Sequence, residues 1–127
     1  MEYMDLLYIH QPAGNWMAGY RQLEKAFREG KARAIGISNF EGEYIRELQN
    51  QWEIVPQFIQ VEAHPYFTQK ELRTTLDKYG IRLMSWYPLG HGDNSLLQEP
   101  VFASLGEKYG KSRPRSSSAG TPGGALL

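Results

Sequence analysis

The sequence predicts an α/β fold of four consecutive βα units with parallel strands. Three observations predict it: short apolar runs occur four times, a stretch with helical spacing follows each run, and glycines stand where helices would end. Each unit has room for one strand, one helix and short loops. Units of this length fit a (β/α) barrel and a doubly wound sheet equally well, so unit length does not distinguish the two architectures.

The predicted strands are the apolar runs, taken in chain order. They are "YMDLLYIH" (3–10), "ARAIGISNF" (32–40), "PQFIQVEAH" (56–64) and "IRLMSWYPL" (81–89).

The predicted helices follow the strands, and apolar residues at helical spacing mark each one. Their apolar positions are Trp16, Tyr20, Leu23 and Phe27; Tyr44, Ile45, Leu48 and Trp52; Leu72, Leu76 and Tyr79; and Val101, Phe102, Leu105 and Tyr109. Asn15 and Thr68 are suitable N-caps, and Gly30, Gly80 and Gly110 are suitable left-handed residues after helix ends.

The length of the chain limits how much of a barrel it can form, and its composition changes near the C-terminus. A full barrel takes about 250 residues, and this chain has 127, so either the sheet is open or the chain is part of a barrel. The segment 113–127, "RPRSSSAGTPGGALL", has no apolar period and is rich in Pro, Ser and Gly. We therefore predict a folded region at 1–112 and a disordered tail at 113–127.

Composition excludes several classes of partner. Fourteen basic and fourteen acidic residues cancel, so no strong field would attract nucleic acid or an anionic membrane. The absence of cysteine excludes disulfides and thiolate metal sites. No run approaches the roughly 20 apolar residues of a membrane span, and the N-terminus lacks the pattern of a signal peptide. These features predict a cytoplasmic protein whose partner is a small molecule or another protein.

Polar and aromatic side chains end all four predicted strands. In parallel βα folds the C-terminal strand ends line the ligand site, because the loops converge there. The residues at these ends are His10; Ser38 and Asn39; Gln60, Glu62 and His64; and Trp86 and Tyr87. Their clustering favours a functional interpretation of the whole set.

Each of these residues also has a purely structural interpretation when taken alone. His10 could be a core histidine bonded to a backbone carbonyl, and Ser38-Asn39 could form a turn or an N-cap. Gln60 needs a partner if it is buried, and that partner could be backbone or ligand. Trp86 could belong to the core.

Other catalytic motifs are absent from the sequence. His10, His64 and His91 lack metal-ligand spacing, and "GHG" at 90–92 has no dinucleotide fingerprint around it. There is no G-x-S-x-G elbow, phosphate-binding loop or Cys/His pair. We therefore predict no metal site, no Rossmann site and no hydrolase activity.

Four segments together resemble successive segments of the aldo-keto reductases: "YMDLLYIHQP", "GKARAIGISNF", "IQVEAHPY" and "WYPLGHG". The likeness covers residues 1 to about 112. It implies a partial (β/α)8 TIM barrel of about four central βα units. It also implies hydride transfer between NADPH, with NADH as an alternative, and an aldehyde or ketone.

The resemblance also implies roles for individual residues. His10 matches the histidine of the family's catalytic tetrad, which orients and polarises the substrate carbonyl. Ser38, Asn39 and Gln60 match the residues that bond the nicotinamide carboxamide, and Trp86 matches the aromatic on which the ring stacks. Leu89 and Gly90 continue the cofactor loop. A planar ring and an amide suit these partners chemically.

The resemblance implies that parts of the active site are missing. The family's tetrad tyrosine, lysine and aspartate lie before the first strand here, and no residue of this chain matches them. Loss of a general acid typically costs 10²- to 10⁴-fold in rate, so we expect the isolated chain to have little or no activity. Two alternatives are a non-catalytic remnant that binds nicotinamide weakly, and a half-barrel that self-associates.

The tail departs from the family pattern after "EKYGKS". One back-translation of the segment from Arg113 to Thr121, read one base earlier, encodes Ala-Ala-Gln-Val-Ile-Leu-Arg-Trp-His, which is the helix that the resemblance implies there. We interpret the tail as a frameshift product. Coding DNA that cannot yield this helix in another frame would contradict that interpretation.

Overall fold

The computed structural model describes residues 3–90, 94–112 and 114–115. Its sheet has four parallel strands that lie side by side in chain order: β1 (Met4–Ile9), β2 (Ala32–Ser38), β3 (Phe58–Glu62) and β4 (Arg82–Trp86). The helices are α1 (Trp16–Arg28), α2 (Glu43–Gln49), α3 (Lys70–Tyr79), α4 (Asn94–Gln98) and α5 (Pro100–Tyr109). The predicted alternation of parallel strands and helices is confirmed.

The described residues divide into two compact units. The first comprises the residues up to Val61 together with Glu71–Leu83, and the second comprises Glu62–Lys70 with the described residues from Met84 onward. Two of the three boundaries fall inside strands, because β3 and β4 each contribute their last residues to the second unit, and the third falls at the start of α3.

One face of the sheet in the first unit is apolar and covered by α1. Ile9, Ile37 and Ile59 stand in register across the first three strands, so they face the same side. A Cβ added to Gly19 of α1 would lie 3.4 Å from Ile9 Cδ1, which places the helix against this face. Ile37 and Ile59 are buried, and each such side chain stabilises the fold by about 1.5–3 kcal/mol.

The opposite face requires a glycine at its centre. Tyr8, Gly36 and Phe58 stand in register there. A Cβ on Gly36 would lie 3.1 Å from the Phe58 carbonyl oxygen and 3.3 Å from Tyr8 Cβ. The strands therefore approach closely beside this residue.

The predicted helix ends are largely confirmed. The Asn15 side chain accepts a hydrogen bond from the Ala18 N–H at 3.2 Å and caps α1. Gly30, Gly80 and Gly110 have φ values of 70°, 68° and 61°, as expected of residues that end helices. Helix α3 begins at Lys70, two residues after Thr68, so the role of Thr68 as its N-cap stays a prediction.

The prediction that Trp52 belongs to the second helix is wrong. Helix α2 ends at Gln49, and the N–H groups of Gln51 and Trp52 both donate to the Leu48 carbonyl, at 2.9 and 2.8 Å. This tight turn leads the chain toward β3. The Trp52 ring instead packs edge-on against Tyr79, with centroids 5.0 Å apart.

A buried carboxylate joins α1 to the segment after α2. Glu24 is fully buried, and its Oε1 accepts hydrogen bonds from the N–H groups of Glu53 and Ile54 at 2.6 and 2.9 Å. Its Oε2 accepts from Arg21 at 2.8 Å, and the Tyr20 hydroxyl donates to the Ile54 carbonyl at 2.7 Å. We call Tyr20, Arg21 and Glu24 the α1 polar cluster.

Burial alone would raise the pKa of Glu24. The hydrogen bonds from the Ile54 amide, the Arg21 guanidinium and the Glu53 amide outweigh that effect and hold the pKa of this carboxyl below its ordinary value. Burial, assisted by the charge of Glu24, raises the pKa of the Tyr20 hydroxyl. Both groups therefore keep the protonation states that their hydrogen bonds require near neutral pH.

Gln57 bonds to the middle of β2 through both its backbone and its side chain. Its N–H donates to the Ile35 carbonyl at 2.9 Å, while its Oε1 accepts from the Ile35 N–H at 2.8 Å. Its Nε2 donates to the Val55 carbonyl at 2.6 Å. The side chain thus supplies the acceptor that the backbone would otherwise provide in a parallel ladder.

The second unit contains a short helix that the sequence did not predict. Helix α4 is only five residues long, so too few apolar positions exist to reveal a period. It buries Leu96 completely, and Phe102 of α5 is also buried. Helix α5 begins at Pro100 and ends at Gly110 with a left-handed residue, as the sequence predicts for its C-terminus.

Of the predicted tail at 113–127, the structure describes only residues 114 and 115. Its other residues lie outside the described part of the chain, and the division at 112/113 stays a prediction. Within the described residues, no helix is both long and apolar enough to cross a membrane.

Candidate functional site

The first unit brings four predicted site residues to the C-terminal ends of three adjacent strands. Ser38 and Gln60 are direct cross-strand partners in β2 and β3, and the Asn39 N–H donates to the Gln60 carbonyl at 2.9 Å. Ile9 pairs with Ile37, so His10 continues β1 at the level of Ser38. The polar ends of the three strands therefore lie at one edge of the sheet.

The structural alternative for His10 is wrong. Its side chain is exposed, so it is not a core histidine. Within residues 3–90, 94–112 and 114–115, its ring forms no hydrogen bond or ion pair. The apolar strand therefore ends in an imidazole that faces solvent.

The N-cap interpretation of Ser38-Asn39 is also wrong. The N-cap of α2 is Gly42, three residues farther along. Asn39 has φ 59°, a left-handed conformation that asparagine tolerates better than most residues. The backbone therefore does turn at Asn39, directly after the buried Ser38.

The donor set of this strand edge fits a carboxamide. Residues in register on parallel strands face the same side, with strands about 4.8 Å apart. A serine hydroxyl and a glutamine amide on that side can each donate and accept, and Gln60 is partly exposed. Gln60 thus offers the complementary groups that an amide requires, and the Ser38 hydroxyl beside it is buried.

The second unit contains the other predicted site residues, at the C-terminal end of β4. Trp86 is partly exposed, so it is not a buried core residue, and its ring centroid lies 4.9 Å from that of Tyr87. Two hydrogen bonds join the end of β4 to Ala63, the residue after β3. Ser85 Oγ donates to the Ala63 carbonyl, and the Ala63 N–H donates to the Trp86 carbonyl at 3.4 Å.

Leu89 and Gly90 complete a tight turn after β4. The Gly90 N–H donates to the Tyr87 carbonyl at 2.8 Å, and Leu89 is partly buried. Gly90 has φ 64°, and a Cβ there would lie 2.8 Å from Leu96 Cδ2. A side chain at position 90 would therefore need the end of the buried Leu96 side chain to move and would also have to adopt a left-handed φ, so both packing and backbone favour glycine there.

We expect Gly90→Ala to destabilise the protein more than Gly110→Ala. Both glycines have a left-handed φ, but nothing lies within 4 Å of a Cβ at Gly110. The backbone penalty is therefore shared, about 1 kcal/mol, while the contact with the buried Leu96 adds about 1–3 kcal/mol at Gly90 only. Urea unfolding followed by circular dichroism measures both. Equal losses in the two variants would show that Leu96 yields without cost.

Sequence reasoning placed Glu62 and His64 at the end of the third strand but did not predict that they form a carboxylate–histidine pair. His64 Nε2 lies 3.3 Å from Glu62 Oε1, and the Gln69 side chain donates to the Glu62 carbonyl at 2.9 Å. Glu62 and His64 are two positions apart at the end of a strand, which is a visible but unspecific signal. Within the described residues, no group of three or more His, Cys, Asp or Glu could hold a metal ion.

The amino-acid sequence is similar to that of known proteins along most of the chain, and not only at the site residues. A glyoxal reductase of Bacillus subtilis is 43% identical over 113 residues, which cover 88% of this chain and 40% of that protein. The chain thus spans about 40% of the length of this curated relative.

The fold also matches solved structures, two of which illustrate the likeness. An aldo-keto reductase from a Medee basin deep-sea metagenome library superposes with a TM-score of 0.86 at 31% identity, covering 93% of this chain and 45% of that one. A mutant of Gox0644 in complex with NADPH has a TM-score of 0.80 at 30% identity, covering 92% and 44%. These neighbours are TIM barrels, so the predicted partial barrel is confirmed.

The family model described as "Aldo/keto reductase family" matches residues 1–99. That match takes in all four strands and helices α1 to α4. The chain therefore belongs to the aldo/keto reductase family.

Proposed function

We propose that this chain carries the nicotinamide-binding and carbonyl-orienting part of an NADPH-dependent aldo-keto reductase. The observation that carries the proposal is the Ser38–Gln60 pairing at the strand edge where β1 ends in the exposed His10. The similar structure in complex with NADPH supports the choice of cofactor, with NADH as the alternative. In this proposal the parent reductase is cytoplasmic and reduces a small aldehyde or ketone.

Each residue has a defined task in this proposal. Ser38, Asn39 and Gln60 bond the carboxamide and thereby fix which edge of the nicotinamide faces the substrate. Trp86 provides a flat surface for the ring, and Leu89 and Gly90 continue the cofactor loop. His10 donates a hydrogen bond to the substrate carbonyl oxygen and stabilises the negative charge that develops there. The bound cofactor supplies hydride to the carbonyl carbon.

The isolated chain is expected to bind cofactor without turning over. The acid that protonates the product oxygen is a tyrosine in this family, with lysine and aspartate partners, and none of the residues here matches them. Without that acid the rate falls by about 10²- to 10⁴-fold. We therefore expect the isolated chain to bind cofactor without carrying out the chemistry.

Titration of the purified chain with NADPH tests the proposal. We expect saturable quenching of tryptophan fluorescence, loss of that quenching in Trp86→Ala, and no carbonyl reduction in a parallel assay. Trp52→Phe is the matched control, because Trp52 packs on Tyr79 in the first unit. The absence of quenching at millimolar NADPH would contradict the proposal, and measurable turnover would contradict the assigned loss of activity.

Self-association is a second candidate, favoured by the state of strand β1. Within the described residues, β1 pairs only with β2, and Met4 and Tyr8 are about 40% exposed. An unpaired strand edge with apolar side chains promotes pairing between chains. Two copies with four strands each would supply the eight strands of a barrel. We expect a dimer in sedimentation-velocity experiments, and a monomer at all concentrations would contradict this candidate.

A further inference from the structure

Tyr87 has a backbone conformation that aromatic residues rarely adopt. Its φ is 49°, and in the described part of the chain the other non-glycine residues with positive φ are Asn39 and Gln69. Bulky side chains are disfavoured there, because Cβ approaches the backbone. The turn that Tyr87 starts, closed by the Gly90 N–H at 2.8 Å, maintains this conformation.

Burial of the Tyr87 ring does not offset the strain of this backbone conformation. The residue is 50% exposed, so burial recovers only part of the free energy that an aromatic side chain can contribute. Its ring lies at 67° to the Trp86 ring with centroids 4.9 Å apart. The end of β4 therefore presents two adjacent aromatic rings at an angle.

The turn itself does not require a tyrosine. Glycine adopts φ near 50° without steric cost and would form the same turn with less strain. What tyrosine adds at position 87 is its ring and hydroxyl. A strained conformation that leaves an aromatic ring half exposed is more consistent with binding than with packing.

We propose that Tyr87 is a second ring-binding residue of the cofactor site. Together with Trp86 it forms an angled pair of aromatic surfaces that receives the planar nicotinamide ring. This inference rests on the proposed function, and it assigns the contact to the ring rather than to the hydroxyl. Tyr87 thereby contributes to selecting a ligand with a flat heteroaromatic group.

Calorimetric titration of Tyr87 variants of the full chain, combined with thermal unfolding, tests the inference. The ligands are NADPH and 2′-phospho-ADP-ribose, which lacks nicotinamide. We expect Tyr87→Gly to keep or raise the unfolding midpoint while weakening NADPH binding by about 3- to 10-fold. It should leave any binding of 2′-phospho-ADP-ribose unchanged. Tyr87→Phe should retain wild-type affinity. Tyr109→Ser, at a 61% exposed tyrosine of α5, is the control.

The outcomes separate this inference from the proposed function. Wild-type affinity in Tyr87→Gly, with binding still lost in Trp86→Ala, would overturn the role of Tyr87 and leave the proposed function intact. A joint loss of stability and affinity in Tyr87→Gly would show a structural role and would also overturn it. Failure of the wild-type chain to bind NADPH would overturn both.

Discussion

Phe40→Ala is expected to lower the free energy of unfolding by about 4 kcal/mol. Phe40 is fully buried directly after the Asn39 turn, and it makes edge-on contacts with Trp16 and Tyr44, with centroids 5.1 and 6.4 Å away. Truncation would remove these contacts and leave a cavity between the starts of α1 and α2. Domains of this size have only about 5–15 kcal/mol of stability, so a loss of this size removes at least about a quarter of it. Urea unfolding followed by circular dichroism measures the change.

Two variants at the same aromatic cluster calibrate this prediction. Phe40→Leu keeps an apolar group in the site and should cost less than about 1.5 kcal/mol. Tyr44→Ala removes a ring that is 46% exposed and should cost clearly less than Phe40→Ala. A loss below 1 kcal/mol in Phe40→Ala would mean that the cluster collapses onto the vacancy, and it would contradict the prediction.

Glu24→Ala is expected to cost about 3 kcal/mol. The substitution removes the acceptor of the Glu53 and Ile54 N–H groups and the ion partner of Arg21. Hydrogen bonds to a charged group contribute about 1.5–3 kcal/mol each, and buried donors left unpaired add a desolvation cost. Glu29→Gln is the control, because Glu29 and its partner Lys31 are both exposed. Urea midpoints of the two variants provide the comparison, and a similar loss in both would contradict the role of burial.

The same carboxylate should make stability depend on pH in the acid range. Because the pKa of Glu24 is lower in the folded state, its contribution is complete above the ordinary value of 4.5 and is lost as the pH falls through the folded value. Glu24→Gln cannot release a proton, so this part of the acid dependence should disappear. An unchanged acid limb in Glu24→Gln would show that another carboxyl is responsible.

Strand periodicity made much of the fold and the first half of the site predictable. The apolar runs identify the strands, and the rule that loops converge at the C-terminal ends of parallel strands places His10, Ser38 and Gln60 at one edge. The pairing register confirms that edge. The resemblance to a known family was needed for the choice of barrel, because unit length fits either architecture.

Features set by contacts distant in sequence were not predictable. Glu24 is a charged residue in an amphipathic helix and would normally be assigned to the solvated face. It is instead buried, and it accepts hydrogen bonds from backbone amides 29 and 30 residues away. Gly90 matched a cofactor loop, yet its close approach to Leu96 and its left-handed φ also favour glycine there. The left-handed φ of Tyr87 leaves no trace in local composition, because tyrosine is an unusual choice for that conformation.

The bonds that Gln57 makes with Ile35 fix the alignment of the carboxamide-binding groups from the opposite end of the strand. A slip of β3 by one residue against β2 would turn Gln60 to the other face of the sheet and bring a different residue beside Ser38. Backbone and side chain of Gln57 engage the same residue, so such a slip would break both connections at once. Selection of the correct pairing thus occurs about 10 Å from the residues that depend on it, and a substitution at Gln57 would alter ligand recognition without touching the ligand.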